Sequence, residues 1–199
     1  SRLDLAPDAV AVALADHGWQ GPAPTLLTSV GSTNAVAADL VRGGQAPAGT
    51  CVVAEEQTAG RGRLDRTWVS PKGAGLWLSF VVRPADVPVD RWAWLPLVAG
   101  LAARDAIRSA CRVPVDLKWP NDLVVTAAMC GGSGGTRKIG GILSEVVDDA
   151  VIIGIGVNVA LTSEQLPTPQ ATSIFAEGGV VDRTALLATL LVSLGDRVD

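Results

Sequence analysis

Histidine is nearly missing from this chain of 199 residues, with His17 the only one. A single imidazole at the end of a helical pattern reads as a C-terminal cap. Its isolation argues against Ser-His-Asp chemistry and against His-based metal sites. Cysteine is scarce too. Cys51, Cys111 and Cys130 are odd in number and widely spaced. They form neither a metal-ligand pattern nor a disulfide framework, so a reducing, cytoplasmic setting is expected. No apolar run is long enough to span a bilayer. Ser1-Arg2-Leu3-Asp4-Leu5 lacks the apolar core of a signal peptide, so no membrane partner is expected. Positive charge is not in excess: the formal net charge of −4 argues against broad binding to nucleic acid.

Familiar nucleotide signatures are also absent. There is no GxxxxGK[ST] loop, and Gly154-x-Gly156 lacks a third glycine and falls inside a strand pattern. Gly131-Gly132-Ser133-Gly134-Gly135 matches the letters of a nucleophile elbow. No helix pattern follows the serine, however, and the only histidine lies upstream of it. Residues 129–137 therefore read as a flexible Gly/Ser connection. No internal repeat is visible.

What is present suits one domain over residues 1–199. The chain is 48% hydrophobic and 18% charged, enough for a sizeable core. Its organising stretch is Gln57-Thr58-Ala59-Gly60-Arg61-Gly62-Arg63-Leu64-Asp65-Arg66-Thr67-Trp68. The β-branched strand pattern of residues 50–54 precedes it and Ser70-Pro71 follows. Guanidinium groups are forked, permanent donors suited to phosphate and carboxylate. Glycines let the backbone approach a ligand. The loop thus reads as one that closes over a small anionic ligand.

Helices are expected over residues 7–16, 31–42, 92–111 and from Asp182 onward, with Asp182 as a cap. In the third, Trp94, Leu97, Leu101, Ala102 and Ile107 fall at helical spacing, and Pro96 should begin or bend it. Strands are expected over residues 25–30, 50–54, 75–82, 113–118, 123–125, 139–147 and 151–159. The last two are joined at Asp148-Asp149, a hairpin signal, and residues 167–179 read as loop. Ser32 or Thr33 suits the N-cap of the second helix. This order fits an α/β or α+β fold, a mixed β-sheet flanked by helices, rather than a Rossmann unit.

Several motifs join the Arg/Gly loop. Ser32-Thr33-Asn34 opens a helix at a strand-to-helix turn, where hydroxyl, amide and free N–H groups can meet a neutral polar head group. Lys118-Trp119-Pro120-Asn121-Asp122 sets a cation, an indole, an amide and a carboxylate around one turn. Lys138 starts the glycine-bearing strand Ile139-Gly140-Gly141-Ile142-Leu143. Asn158 ends Gly154-Ile155-Gly156-Val157. Trp68 can stack on a planar ring.

Taken together, these ordered motifs from about Ser29 onward resemble those of bacterial biotin protein ligases. That resemblance implies a catalytic domain with a mixed sheet flanked by helices, related to class II aminoacyl-tRNA synthetases. It implies activation of biotin with ATP and Mg²⁺ to biotinyl-5′-AMP, then transfer to a lysine of a biotin carboxyl carrier protein domain. Ser32, Thr33, Asn34, Gln57, Gly60, Arg61, Gly62, Arg63 and Lys138 would form the biotin site. Arg61, Arg63, Trp68, Lys118, Asn121, Lys138 and Asn158 would bind the adenylate. Arg63 and Lys138 would be catalytic, and Asp122 would hold Mg²⁺. The ureido ring is neutral, with two N–H donors and one carbonyl, which a hydroxyl–amide set matches without burying a charge. No protein nucleophile is required. The family's N-terminal winged helix and C-terminal small β-barrel are not read in this chain, and no DNA partner is expected. A monomer or weak homodimer is expected. Alternatives are a lipoate or octanoate ligase of the same fold and a non-catalytic biotin- or adenylate-binding regulatory protein. The loop departs from the common Gly-Arg-Gly-Arg-Arg-Gly-Arg pattern at Leu64-Asp65, where one positive charge is lost and a negative one added.

The loop's cations repel one another until an anion arrives. Hydrogen exchange over residues 58–67 is therefore expected to slow more with a biotinyl-adenylate analogue than with biotin alone. Equal protection with and without either ligand would mean a static surface loop.

Overall fold

The computed structural model describes residues 5–64, 66–68, 71–126 and 135–198. Most of the Gly/Ser connection, Cys130 and Asp65 lie outside these residues. A seven-stranded sheet in the order β1-β2-β3-β7-β6-β5-β4 carries the fold. The strands are β1 (Thr25–Leu27), β2 (Cys51–Ala54), β3 (Gly75–Val82), β4 (Asp116–Lys118), β5 (Asp122–Thr126), β6 (Thr136–Val147) and β7 (Ala150–Asn158). Only β1 and β2 run parallel, so the sheet is mixed. The helices are α1 (Pro7–Asp16), α2 (Thr33–Arg42), α3 (Leu95–Ala106) and α4 (Arg183–Val198).

β3 and most of β7 are buried on both faces, which accounts for their unbroken apolar runs. Alternation assigns the two sides. Leu78, Phe80, Ile153 and Ile155 join α1, α3 and α4 in the larger core. Val52, Val81 and Ile152 pack under Ala37, Ala38 and Val41 of α2 in a smaller one. Burying each such large side chain contributes about 1.5–3 kcal/mol. α2 covers only part of its face. The remainder, around Ser79, Gly154 and Gly156, is where the site forms.

The helix expected over residues 92–111 is built in three pieces. A 3₁₀ segment, Val89–Trp94, leads into α3 near Pro96, and a π-helical turn, Ile107–Cys111, follows. The expected apolar stripe is partly misplaced. Ala102 and Ile107 are buried, but Trp94 is 64% and Leu101 38% exposed. The buried face is Leu95, Ala99, Ala102, Ala103 and Ala106, because small side chains let α3 lie close against α4 and the sheet. Two strands are shorter than expected. Pro114 has no N–H for a ladder, so β4 starts only at Asp116. β1 ends at Leu27, and Val30 returns to pair as a single bridge with Gln57.

Several expectations hold closely. His17 follows α1, and its Nδ1 lies 2.7 Å from the carbonyl of Ala13. Asp182 caps α4 by accepting from the N–H of Ala185 at 2.9 Å. The β6–β7 hairpin turns at Asp148, with φ of 52°. Cys51 and Cys111 are unpaired and buried. Burial pushes the Cys51 thiol well above its ordinary range and, with help from Asp182, pushes Cys111 up to about 12. Neither is a nucleophile at neutral pH.

One buried ion pair braces both stems of the Arg/Gly loop. Arg183, at the start of α4, donates to Glu55 Oε2 at 2.7 Å and, through Nε, to the carbonyl of Gly75 at 2.8 Å. Glu55 Oε1 accepts from the N–H of Leu5 at 2.7 Å, and its carbonyl accepts from Gly73 at 3.0 Å. Breaking such a pair from one side leaves a buried charge uncompensated. Arg183→Met is expected to lower stability by about 3–5 kcal/mol, and Arg183→Met with Glu55→Gln by distinctly less. Urea unfolding of both variants checks this; equal losses would mean that the two charges do not stabilise each other.

Candidate active site

The site lies on the α2 side of the sheet. Gly141, Gly154 and Gly156 share that face, since Gly141 pairs with Gly156 and Gly154 with Ser79. A Cβ at Gly154 would stand 2.4 Å from Asn34 Oδ1, and one at Gly156 would stand 2.9 Å from the Trp68 indole. The missing side chains make the cavity floor. Asn34 and Trp68 approach the backbone of β7 because nothing projects from it.

The β1-to-α2 turn supplies the inner end of the cavity. Ser32, Thr33 and Asn34 are all buried. Ser32 is the N-cap by backbone conformation but makes no side-chain capping bond. Gln57 Oε1 instead accepts from the N–H of Thr33 at 2.9 Å and lies 3.1 Å from its hydroxyl oxygen. Ser79 Oγ lies 2.8 Å from Thr33 Oγ1 and donates to Asn34 Oδ1 at 2.5 Å. Asn34 Nδ2 donates to Glu145 Oε2 at 2.6 Å. The inner end is therefore a connected set of hydroxyls and amides.

The Arg/Gly loop supplies the rim. It closes on itself: Gly62 N–H donates to Arg66 at 2.7 Å and Trp68 N–H to Gly60 at 2.8 Å. Its anchor is Trp68, which is half-buried and meets Trp77 edge-on at 6.3 Å. Lys138 Nζ sits 5.1 Å from the Trp68 ring centroid and 2.6 Å from Asp122 Oδ1. Arg61 Nη2 pairs with Glu145 at 3.1 Å, and Arg63 Nη1 lies 3.5 Å from Asn121 Oδ1. Three cations thus face one cavity, each set against an acceptor from the sheet or its turn.

Most residues singled out in the sequence meet here. Ser32, Thr33, Asn34, Gln57, Arg61, Gly62, Arg63, Trp68, Asn121 and Lys138 all line this cavity. Gly60 does not; it is buried, and its carbonyl holds Trp68. Lys118 and Asp122 line an adjoining depression with Trp119. Asn158 stands apart. It is 5% exposed and donates to the Thr172 carbonyl at 2.9 Å, tying β7 to the loop after it. One N–H of its amide is thus used within the framework. Ser79 and Glu145 escaped the sequence reading. A lone hydroxyl in the apolar run of β3 and a lone carboxylate within β6 were the available signals.

The profile of the Biotin/lipoate A/B protein ligase family matches residues 26–158. The chain belongs to this family. A biotin–[acetyl-CoA-carboxylase] ligase of Mycobacterium tuberculosis is 38% identical over 92% of this chain and 66% of its own length. A biotin protein ligase of Aquifex aeolicus, solved with biotin and ATP, matches with a TM-score of 0.72 and 31% identity, over 88% of this chain and 69% of its own. A biotin protein ligase of Leishmania major, solved with biotinyl-5-AMP, gives 0.72 and 33%, over 88% and 74%. The chain spans 66% of the length of the Mycobacterium relative and about half that of the Bacillus bifunctional ligase/repressors it matches.

The glycine floor yields a direct test. Gly154→Ala forces Asn34 off its place and is expected to cost about 1–3 kcal/mol, as overpacking does. Adding Asn34→Ala should recover much of it, because contacting sites couple. Additive losses in urea unfolding would mean that the two residues do not touch.

Proposed function

We propose that the chain is the catalytic domain of a biotin protein ligase. It activates biotin with ATP to biotinyl-5′-AMP and transfers the biotinyl group to a lysine of a biotin carboxyl carrier protein domain. The observation that carries this reading is one cavity with two chemistries. Its inner end offers hydroxyls and amides; its rim offers Arg61, Arg63 and Lys138. A ureido ring needs donors and acceptors without charge. A carboxylate meeting a phosphate needs its repulsion cancelled. Biotin with ATP has both requirements at the spacing of one small ligand. The ligands named for the Aquifex and Leishmania proteins support the same reading.

In the first step a carboxylate oxygen of biotin forms a bond to the α-phosphorus and pyrophosphate departs. Arg61, Arg63 and Lys138 offset the charge gathered there. In the second, the acceptor lysine amine attacks the acyl carbon and AMP leaves. The described cysteines are buried thiols, in keeping with a reaction that needs no protein nucleophile. Asn121 and Asp122 offer the oxygen ligands that Mg²⁺ prefers, and one carboxylate beside substrate phosphates is its usual protein share. No described helix is long and apolar enough to cross a membrane. The proposed setting is the cytoplasm. A lipoate ligase is the rival within the family; the polar floor of Thr33, Asn34, Gln57 and Ser79 favours biotin.

Incubation with Mg-ATP, biotin and a carrier domain should add the mass of one biotinyl group to the carrier. Addition of a lipoyl group from lipoic acid, and none from biotin, would overturn the reading. Lys138→Ala should retain biotin binding while slowing pyrophosphate release about 10²–10³-fold, the scale seen when one charge-stabilising donor is removed. Unchanged pyrophosphate release would remove Lys138 from the chemistry.

A further inference from the structure

Glu145 joins the two ends of the cavity. It lies on β6, on the face that carries Ser79 and Gly154. Its Oε2 accepts from Asn34 Nδ2 at 2.6 Å, and its two oxygens lie 3.1 and 3.2 Å from Arg61 Nη2. An ionised carboxylate only accepts hydrogen bonds, and a guanidinium only donates. The arrangement is therefore directional. Arg61 supports the charge of Glu145, and Glu145 admits only the nitrogen end of the Asn34 amide. The oxygen end is left facing Ser79 Oγ and the bare backbone of Gly154.

An Asn amide of itself does not distinguish its two ends by shape. The surrounding donors and acceptors decide which end points where. Leu143 adds a carbonyl on the nitrogen side, 3.4 Å from Nδ2, too far to decide the orientation alone. A carbonyl oxygen accepts two hydrogen bonds, and Ser79 supplies one.

We propose that Glu145 is a positioning residue that fixes the polarity of the cavity floor. It holds Asn34 with its carbonyl toward the ligand and so selects a head group that presents an N–H donor. The inference rests on the biotin reading above. Without Glu145 the amide is free to turn its NH₂ inward, and a buried N–H of the ligand then meets a donor.

The test uses steady-state adenylation with biotin, Mg-ATP and pyrophosphate detection. Glu145→Leu is expected to raise the KM for biotin about 10- to 100-fold, the range that one mismatched buried hydrogen bond produces. kcat, which also feels the loss of Arg61's partner, should fall by less than the biotin KM rises. Glu145→Gln keeps an acceptor for Asn34 and should restore the biotin KM to within a few-fold of wild type. The preference for biotin over analogues methylated at either ureido nitrogen should shrink in Glu145→Leu alone. A merely structural role would move kcat, both KM values and Tm together, and Glu145→Gln would not rescue. Should Glu145→Leu not fold, the swapped pair Asn34→Asp with Glu145→Gln carries the test. With donor and acceptor exchanged, an oxygen still faces the ligand, so the pair should bind biotin more tightly than Asn34→Asp alone. No gain from the swap, or a Glu145→Leu variant indistinguishable from a biotin-binding wild type, overturns this inference alone. A wild-type chain that binds no biotin overturns the functional reading and this inference with it.

Discussion

Everything at the site depends on backbone laid bare. Gly141, Gly154 and Gly156 remove side chains from adjoining positions of β6 and β7, on the one face that α2 leaves partly uncovered. A Cβ at any of the three would fall within 3.3 Å of Asn34, Trp68 or Lys138. The same vacancy seats a neutral amide at one end and an indole at the other. Glycine in a strand interior weakens the strand. Here the loss is offset by burial in the middle of the sheet, where β3 and β6 flank β7 along its length.

The second constraint is that cations gathered for an anion must be held apart before it comes. Arg61 rests on Glu145, and Lys138 rests on Asp122. Both pairs are partly exposed, so each contributes little to stability. Their effect is on position. Each cation is held at the rim by a partner that an incoming phosphate or carboxylate can replace. The stems of the loop are treated differently. Glu55 and Arg183 are buried and tied to backbone, so the base of the loop is fixed while its charged tip faces solvent. A loop with a rigid base and exchangeable contacts at its tip can close without a folding step.

The sequence made the fold legible where pattern and burial agree. β3, the two strands of the β6–β7 hairpin and the capped α4 follow from apolar runs, a turn and Asp182. It misled around α3, where Trp94 and Leu101 face outward and Leu95 with the alanines forms the core contact. Periodicity counts hydrophobicity, whereas close helix packing rewards small size. The site was legible to the extent that it is written in contiguous motifs: Ser32-Thr33-Asn34, the Arg/Gly loop and Lys138 do converge. Ser79 and Glu145 were not legible, because their meaning comes from strand register. Ser79 faces Gly154 only through the β3–β7 pairing, and Glu145 reaches Asn34 only through β6–β7. Asn158, a polar tip on an apolar strand, ties β7 to Thr172 through its Nδ2, a contact that the strand pattern alone does not reveal.

The separation between head-group end and charged rim also explains why the cavity tolerates so many polar groups. Each inner group is matched within a short chain of neighbours: Gln57 with Thr33, Thr33 with Ser79, Ser79 with Asn34, and Asn34 with Glu145. Such a chain has a direction, set by which members can only donate or only accept. Arg61 can only donate and Glu145 only accepts, so the direction is imposed from the charged rim and carried inward. The rim does more than gather anions. Through Glu145 it determines which end of the Asn34 amide lines the floor, and the two halves of the cavity operate as one polarised unit.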